Sequence, residues 1–282
     1  MLSFLVFADL HYKKGMYAVK VQHLKQIMKR AHENNVDFVL HAGDFCNDYS
    51  GSPEIVKEYL KNEYDLSVYG VYGNHELESN HNSMEAVTPL LTNDRHVVWG
   101  TEDGSIQPGR IGYYWFEKKG CRIICADTNY SYNEKTQAWE HNRTASWGAP
   151  AGNRYPDSLG PEQLQWLESV LMDAAERKIP CVLVSHAGFT PGKAVTVNDL
   201  IWDRNHMHHE WPQDEQYKDT YIVHGHSPVQ ILFKSDSPIF YCDEHKIDLD
   251  MATFVTNKIA LLDLDTLEIE KIFEDKTPKE ED

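Results

Sequence analysis

The chain has 282 residues, of which 41% are hydrophobic and 25% charged, a composition that argues against general disorder and allows one sizeable core. Its net charge of −17 argues against nucleic acid and anionic membranes as partners, because both attract an excess of Lys and Arg. Five scattered cysteines do not suggest a disulfide framework, and the apolar start MLSFLVF is too short for a signal peptide. No apolar run reaches the roughly 20 residues of a membrane span. We therefore expect a cytoplasmic protein.

Strands and helices alternate in the first third of the chain. Residues 2–8 form an apolar run that predicts a buried strand, and residues 17–34 carry apolar side chains at helical spacing. A second strand is predicted over 36–40, a helix from Pro53, and a third strand over 66–72. This order is typical of a mostly parallel sheet covered by helices, which binds its ligands at the carboxyl ends of the strands.

The same pattern continues later with longer connections. Strands are predicted over 122–126, 179–185 and 221–223, and Gly160-Pro161 opens a helix with a buried apolar face. The segment 127–160 has no clear period and is interpreted as a long loop or lid.

The end of the chain has two parts. Residues 258–273 alternate around a turn and predict a β-hairpin, whereas the polar, charged residues 274–282 predict a disordered acidic tail. No linker marks a domain boundary, so we expect one domain over 1–273.

Polar residues of metal-ligand type follow the first three predicted strands. Asp9 and His11 come after the first strand, Asp44 after the second, and Asn74 and His75 after the third. One Asp-x-His pair is a weak signal, because such pairs are common at protein surfaces. Three such clusters at one edge of a sheet predict a common site.

Two histidines at later strand ends, His186 and His226, extend this set. Oxygen and imidazole ligands without thiolate suit Mn²⁺, Fe or Zn²⁺, and they also fit Ni²⁺ and Mg²⁺. One tetrahedral site does not need six ligands, so we predict two divalent metal ions, with Mn²⁺ as the first choice. The predicted metal ligands are Asp9, His11, Asp44, Asn74, His186 and His226.

Two divalent cations need an anion between them. At about 3.5 to 4 Å they would repel by roughly 20 kcal/mol, even at an effective dielectric constant near 20. Asp44, central in the chain order, is the candidate bridging carboxylate, and a hydroxide is the candidate second bridge.

Taken in order, these motifs resemble those of the calcineurin-like metallophosphoesterase superfamily across about residues 4–230. They are Asp9-x-His11, Gly43-Asp44, Gly73-Asn74-His75-Glu76, His186 and Gly225-His226. The resemblance implies an α/β protein with a four-layer αββα fold, in which helices flank a central β-sandwich. It also implies an enzyme that hydrolyses a phosphomonoester or phosphodiester by means of a metal-bridging hydroxide.

The resemblance further implies a role for each residue. The residues that match Asp9 and His11 bind the first metal, the one that matches Asp44 bridges, and those that match Asn74, His186 and His226 bind the second. Asn74 and His75 are the expected substrate-binding residues. His75 is also the expected catalytic acid that protonates the leaving group, oriented by Glu76 or Asp48.

The chain departs from the family pattern in two places. The usual Gly-His-x-His ending is Gly225-His226-Ser227-Pro228 here, similar to bacterial relatives of the Ser/Thr protein phosphatases, and it leaves open whether His224 reaches a metal. Those phosphatases carry Asp and Arg where this chain has Asn47 and Asp48, so a bidentate phosphate clamp is missing. Conversely, residues 159–167 (LGPEQLQWL) resemble a helix of the cyclic-nucleotide and glycerophosphodiester branch.

Several other residues have two interpretations. His41 is either a hydrogen-bond donor to a ligand carboxylate or a core histidine. His206, His208 and His209 are interpreted as a polar loop near the cleft rather than a third metal site. The aromatic residues of the 127–160 segment either pin it to the protein body or stack on a planar group of the substrate; they are Tyr130, Tyr132, Trp139, Trp147 and Tyr155.

Two other functions compete with phosphoester hydrolysis. A non-catalytic binding protein that retains the fold would be expected to lose ligands, whereas all six are present. A nuclease of the same superfamily would need a basic groove, which the acidic composition argues against. The expected partner is a small phosphoester or a phosphoprotein, and the sequence does not indicate an oligomeric state.

Overall fold

The computed structural model of the chain describes residues 2–12, 17–46, 53–73, 75–77, 91–100, 112–128, 130–133, 137–141, 159–186, 210–213, 215, 218, 220–225, 240–243, 245–251, 258–262 and 269–274. Among these residues, no helix combines the length and the apolar character that crossing a bilayer requires.

The first sheet consists of β1 (Phe4–Phe7), β2 (Phe38–His41) and β3 (Val68–Gly70), which run parallel in that order. α1 (Tyr17–Glu33) and α2 (Pro53–Leu60) form the connections. All three strands are buried along their whole length, because both faces of this sheet are covered. These five elements confirm the predictions for the first third of the chain.

The remaining elements include one long helix, α3 (Gly160–Arg177), which confirms the helix predicted from Gly160-Pro161. The strands after β3 are, in chain order, β4 (Val98–Trp99), β5 (Tyr114–Lys118), β6 (Cys121–Cys125), β7 (Tyr130–Asn133), β8 (Ala138–His141), β9 (Cys181–Val184), β10 (Thr220–His224), β11 (Phe240–Asp243), β12 (Lys246–Asp248), β13 (Lys258–Leu262) and β14 (Ile269–Glu274).

The second sheet has the strand order β11-β12-β10-β9-β6-β5-β4 among the described residues. Its central strands β6, β9, β10 and β12 run parallel, and β11, β5 and β4 are antiparallel to their neighbours. The strands predicted over 122–126, 179–185 and 221–223 are three of these parallel strands, β6, β9 and β10.

The two sheets pack face to face, and helices cover their outer faces. Ile123 and Cys125 of β6 belong to a core shared with the first sheet, whereas Ile124 and Ala126 belong to a second core beneath α3. This alternation is the period of two that a strand imposes on its side chains. The layers are therefore helix, sheet, sheet, helix, which confirms the predicted αββα fold.

Two hairpins lie outside the main sheets. β13 pairs with β14, as predicted for 258–273, and β13 lies against β1. β7 pairs with β8, so the interpretation of 127–160 as a long loop or lid without regular structure was wrong for residues 130–133 and 138–141. The two strands have only four residues each, too few for their alternation to stand out in the sequence.

Tyr114 links the two sheets through its buried hydroxyl group. The hydroxyl oxygen accepts the N–H of Gly70 at 3.0 Å, and it lies 2.8 Å from the carbonyl of Gly70 and 3.0 Å from that of Leu91. Tyr114 belongs to β5 and Gly70 to β3, so this contact fixes the sheets relative to each other near the carboxyl end of β3.

We expect Tyr114→Phe to lower the free energy of unfolding by about 1–3 kcal/mol, because the buried N–H of Gly70 would lose its acceptor. Urea unfolding of the metal-free protein measures this change. Tyr64→Phe is the control. Tyr64 is only half buried, so the loss of its hydroxyl group should lower the free energy of unfolding by less than about 0.5 kcal/mol. Equal stabilities of the two variants would contradict the prediction.

Candidate metal centre

The candidate metal centre lies where the carboxyl ends of both sheets meet. Asp9 and His11 follow β1, Asp44 follows β2, and His186 follows β9. The segments after β1 and β2 run side by side, because the N–H groups of Asp9 and His11 donate to the carbonyls of Gly43 (3.1 Å) and Asp44 (2.9 Å). His75 begins a short 3-10 turn, His75–Leu77, after β3.

Asp44 is the centre of the group. One carboxylate oxygen, Oδ1, accepts the backbone N–H of His75 at 2.9 Å. The other oxygen, Oδ2, lies 3.3 Å from Nε2 of His186 and 3.8 Å from Nε2 of both His11 and His75. The Nε2 atom of His11 also lies 3.5 Å from Oδ1 of Asp9. Asp44 therefore faces three imidazole rings with a single oxygen.

Two groups of potential metal donors share Asp44. The first contains His11, Asp44 and His75, and the second contains Asp9, Asp44 and His186; within each group the donor atoms lie within 4.8 Å of one another. A carboxylate common to two donor groups is the arrangement that a bridging ligand needs. The donors are carboxylates and imidazoles, a set that fits Mn²⁺, Fe or Zn²⁺.

The structure thus brings together five of the residues singled out in the sequence, namely Asp9, His11, Asp44, His75 and His186. Asn74 and His226, the other two, lie outside the described residues. Gly225, the last described residue of that region, donates its N–H to the carbonyl of His186 at 2.9 Å. The assignment of individual ligands to the first or second metal stays a prediction.

Two glycines allow the strand ends to approach each other. Gly43 has φ +89°, and a Cβ there would lie 2.5 Å from Nδ1 of His186. A Cβ on Gly73 would overlap the carboxylate of Asp44. A side chain at either position would therefore displace a candidate ligand.

Three candidate ligands have a left-handed backbone conformation. The φ angles are 56° for Asp9, 49° for His11 and 52° for Asp44. Such conformations are costly for residues with a side chain, and they persist at functional sites where the surrounding structure holds them.

A hydrogen bond orients the ring of His186 toward Asp44. Its Nδ1 lies 2.9 Å from the carbonyl oxygen of Ala42 and, as an N–H, donates to it. Nε2 then points to Asp44, with a lone pair available for a metal when the ring is neutral. This hydrogen bond also joins the end of β9 to the end of β2.

Asp44 and His186 shift each other's pKa values in the metal-free protein. Burial alone would raise the pKa of the Asp44 carboxyl, but the positive charges of His186, His75 and His11 hold it far below its usual range. Burial alone would lower the pKa of His186, but the Asp44 carboxylate raises it from 6.5 to about 10. In the absence of metal, a proton on His186 thus takes the place of a cation.

Glu76 has a role that the sequence did not reveal. Its buried carboxylate accepts three backbone N–H groups, those of Asp44 (3.1 Å), Gly73 (2.6 Å) and Cys46 (2.9 Å). It therefore ties the end of β3 to the end of β2 and fixes the backbone of Asp44. Asp48, one of the two residues expected to orient His75, lies outside the described residues. That Glu76 orients His75 stays a prediction.

The structure favours one of the two interpretations of His41. Its buried ring packs among the rings of Phe45 (5.1 Å between centroids), Tyr59 (5.5 Å) and Phe7 (6.2 Å), and it leaves no room for a side chain on Gly70. His41 is therefore part of the core beneath the metal centre.

His224 is fully buried at the end of β10. Its Nδ1 lies 3.0 Å from the carbonyl of Gly225 and 3.9 Å from Oδ1 of Asp248 on the neighbouring strand. These contacts favour a hydrogen-bonding role.

Five other residues singled out in the sequence lie outside the described residues. They are His206, His208, His209, Trp147 and Tyr155.

We expect Glu76→Gln to weaken Mn²⁺ binding about tenfold, because an amide places an N–H group against a backbone N–H and disturbs the support of Asp44. Leaving a buried donor unpaired should also lower the free energy of unfolding by about 1–3 kcal/mol. Titration calorimetry with Mn²⁺ and urea unfolding test both effects. Glu63→Gln, at an exposed position, is the control, and equal affinity in both variants would contradict the role given to Glu76.

We expect the metal-free protein to lose stability as the pH rises from about 6.5 to about 10. His186 has a raised pKa in the folded state, so its stabilising proton is fully bound below the unfolded pKa and is lost as the pH passes the folded pKa. Mn²⁺ affinity should rise over the same range, because a histidine must be neutral to bind a metal. Thermal unfolding across this range, with and without Mn²⁺, measures both trends. His186→Asn should flatten them, and a pH-independent affinity in the unaltered protein would refute the argument.

Known proteins resemble this chain in sequence and in fold. A protein of Arabidopsis thaliana, described as manganese-dependent ADP-ribose/CDP-alcohol diphosphatase, is 27% identical over 60% of this chain; the chain spans 58% of that protein's length. A crystal structure of a dimetal phosphatase from Danio rerio superposes with a TM-score of 0.54 at 17% identity and covers 88% of this chain and 86% of its own. At this identity, the second likeness shows a common fold.

The family model for calcineurin-like phosphoesterase matches residues 2–249. Members of this family bind two divalent metal ions and hydrolyse phosphoesters. The match covers most of the chain and agrees with the order of motifs, the αββα layers and the convergence around Asp44. The chain belongs to the calcineurin-like phosphoesterase family.

Proposed function

We propose that this chain is a binuclear metallophosphoesterase that hydrolyses a small phosphoester. The observation that carries the proposal is the position of Asp44, whose carboxylate is shared by two groups of donors. One group adds His11 and His75 to Asp44, and the other adds Asp9 and His186. A single buried carboxylate in this position meets the need for negative charge between two cations.

Asp9, His11, Asp44 and His186 would hold the metal ions, together with Asn74 and His226. When bound, the two ions supply Lewis acidity toward the phosphoryl oxygens and lower the pKa of a water molecule. Mn²⁺ is the proposed metal, because the donors are carboxylates and imidazoles and because the Arabidopsis relative is described as manganese-dependent.

The substrate would approach from the side of His11 and His75. Their side chains are 16% and 17% exposed, whereas those of Asp9, Asp44 and His186 are at most 5% exposed. The two rings meet edge to face, with centroids 4.8 Å apart. Asp9, Asp44 and His186 are thus more deeply buried than this pair of rings, and His75 is next to the more accessible side of the group.

His75 is the proposed catalytic acid. Its backbone N–H donates to Asp44, which holds the residue next to the metal donors. Its ring is 17% exposed and can therefore be reached by a substrate. As an imidazolium it would contact a phosphoryl oxygen and donate a proton to the leaving oxygen. A water molecule is the nucleophile in this scheme, and the enzyme forms no covalent intermediate.

The proposed substrate class is a small molecule that contains a phosphoester or diphosphate bond. The Arabidopsis relative is described as acting on ADP-ribose and CDP-alcohols, which are nucleoside diphosphate esters. Asn47 and Asp48 stand where related protein phosphatases carry Asp and Arg, so a phosphoprotein would lack one bidentate contact. Nucleoside diphosphate esters are therefore the first class to assay.

We expect the protein to hydrolyse p-nitrophenyl phosphate or its bis ester with Mn²⁺ and to lose this activity with a chelator. Asp44→Asn should reduce kcat by about 100-fold or more, because the bridging charge is lost. Asp37→Asn is the matched control: Asp37 pairs with Lys119 at 2.8 Å just before β2, at the opposite end of that strand. If neither ester is hydrolysed with any divalent metal, the result contradicts the proposal and favours the alternative of a non-catalytic binding protein.

A further inference from the structure

Three polar side chains form a row across the second sheet. They are Ser185, which follows β9, His224 at the end of β10, and Asp248 at the end of β12, and these three strands are adjacent. His224 is paired with Asp248, and the N–H of Ser185 donates to the carbonyl of Val223 at 3.1 Å. All three side chains of the row are fully buried.

The row lies on the face of the second sheet that is turned away from the metal centre. The residues that directly precede its members belong to the core shared with the first sheet; they are Val184, Val223 and Ile247. Because successive residues of a strand point to opposite faces, the members of the row lie on the side of the second core, beneath α3. His186, one residue after Ser185, returns to the inner face and so reaches Asp44.

Ser, His and Asp are also the residue types of a nucleophilic triad, but this row does not fit one. Nδ1 of His224 lies 3.9 Å from Oδ1 of Asp248, which is too far for a hydrogen bond. None of the three side chains is accessible to a substrate. The row therefore has to act through other residues.

His224 binds the backbone of its neighbour Gly225. The Nδ1 atom of the ring lies 3.0 Å from the carbonyl oxygen of Gly225 and, as an N–H, donates to it. The Asp248 carboxylate lies near the same Nδ1 and favours the tautomer that carries the proton there, because a negative charge stabilises a nearby N–H group. The position of the Gly225 carbonyl thus depends on both side chains.

Gly225 in turn contacts two candidate metal ligands. Its N–H donates to the carbonyl of His186 at 2.9 Å. A Cβ on Gly225 would lie 2.8 Å from Oδ2 of Asp9 and 2.7 Å from Cβ of Ala8, so the backbone here packs directly against Asp9. Asp9 and His186 belong to the same group of metal donors, together with Asp44. A shift of Gly225 would therefore disturb two donors of one group.

We propose that His224 and Asp248 are a positioning pair for the metal centre. Asp248 keeps the proton of His224 on Nδ1, His224 fixes the carbonyl of Gly225, and Gly225 fixes the backbone of His186 and borders Asp9. The pair acts from the opposite face of the sheet and holds the donors without being among them. This inference rests on the proposed function, because it takes Asp9 and His186 as metal ligands.

The test compares two variants of equal size, His224→Asn and His224→Leu. The amide nitrogen of Asn can take the place of Nδ1 and donate to Gly225, whereas Leu has the same number of side-chain heavy atoms and no donor. We expect His224→Leu to bind Mn²⁺ about tenfold more weakly than His224→Asn, as measured by titration calorimetry. Equal affinities in the two variants overturn the proposal.

Asp248→Asn addresses the other member of the pair and keeps the shape of the side chain. The charge that favours a proton on Nδ1 is lost, so the Mn²⁺ affinity should fall below that of the unaltered protein. If His224→Leu does not fold, this variant still decides the question. An unchanged Mn²⁺ affinity in Asp248→Asn overturns the proposal.

Asp173→Asn is the control for a purely structural effect. Asp173 pairs with the buried guanidinium group of Arg122 at 2.6 Å, near the start of β6 and therefore at the opposite end of the sheet from the metal centre. We expect this variant to be less stable toward urea and to keep the Mn²⁺ affinity of the unaltered protein. A loss of affinity as large as that of Asp248→Asn would show a general effect of instability and overturn the proposal.

Metal binding separates this inference from the proposed function. If the protein binds Mn²⁺ and hydrolyses no ester, but His224→Leu binds Mn²⁺ more weakly than His224→Asn, the proposed function fails and the inference stands. If the protein hydrolyses esters and the two variants bind Mn²⁺ equally, the inference fails and the proposed function stands.

Discussion

The interaction between the Asp44 carboxylate and the three imidazole rings around it is the constraint on which this edge of the molecule depends. A buried carboxylate is costly unless positive charge and hydrogen-bond donors surround it. Here the backbone N–H of His75 binds one oxygen, and His186, His11 and His75 face the other. The negative charge of Asp44 attracts cations, but burying this charge would cost free energy if the neighbouring groups moved away.

Both sheets contribute to this environment, and backbone hydrogen bonds hold their contributions in place. Glu76 joins the end of β3 to the end of β2, and His186 joins the end of β9 to Ala42. Gln163 performs the same task one strand further along, between β6 and α3. Three buried side chains therefore fix these loops by binding backbone groups, and His186 does so through Nδ1 while its Nε2 faces Asp44.

The sequence predicted the parallel strands and the residues at their ends for a physical reason. Strands buried on both faces are continuous apolar runs, and the polar residue that ends each run marks the carboxyl edge. β5 and β12 lacked this signal, since β5 contains Glu117 and Lys118, and β12 contains Lys246 and Asp248. Glu76 and Gln163 were not given their roles because a hydrogen bond to the backbone of a distant residue has no period or spacing in the sequence.

The left-handed conformations of Asp9, His11 and Asp44 have a consequence for which other residues these positions can accept. A β-branched residue would be strained there whatever its chemistry, whereas Asn, Asp and His adopt this conformation more readily than other residues with a side chain. The backbone therefore restricts the three positions to residue types that also carry metal donors. Asn at Asp9 or Asp44 removes the charge and leaves the backbone conformation accessible.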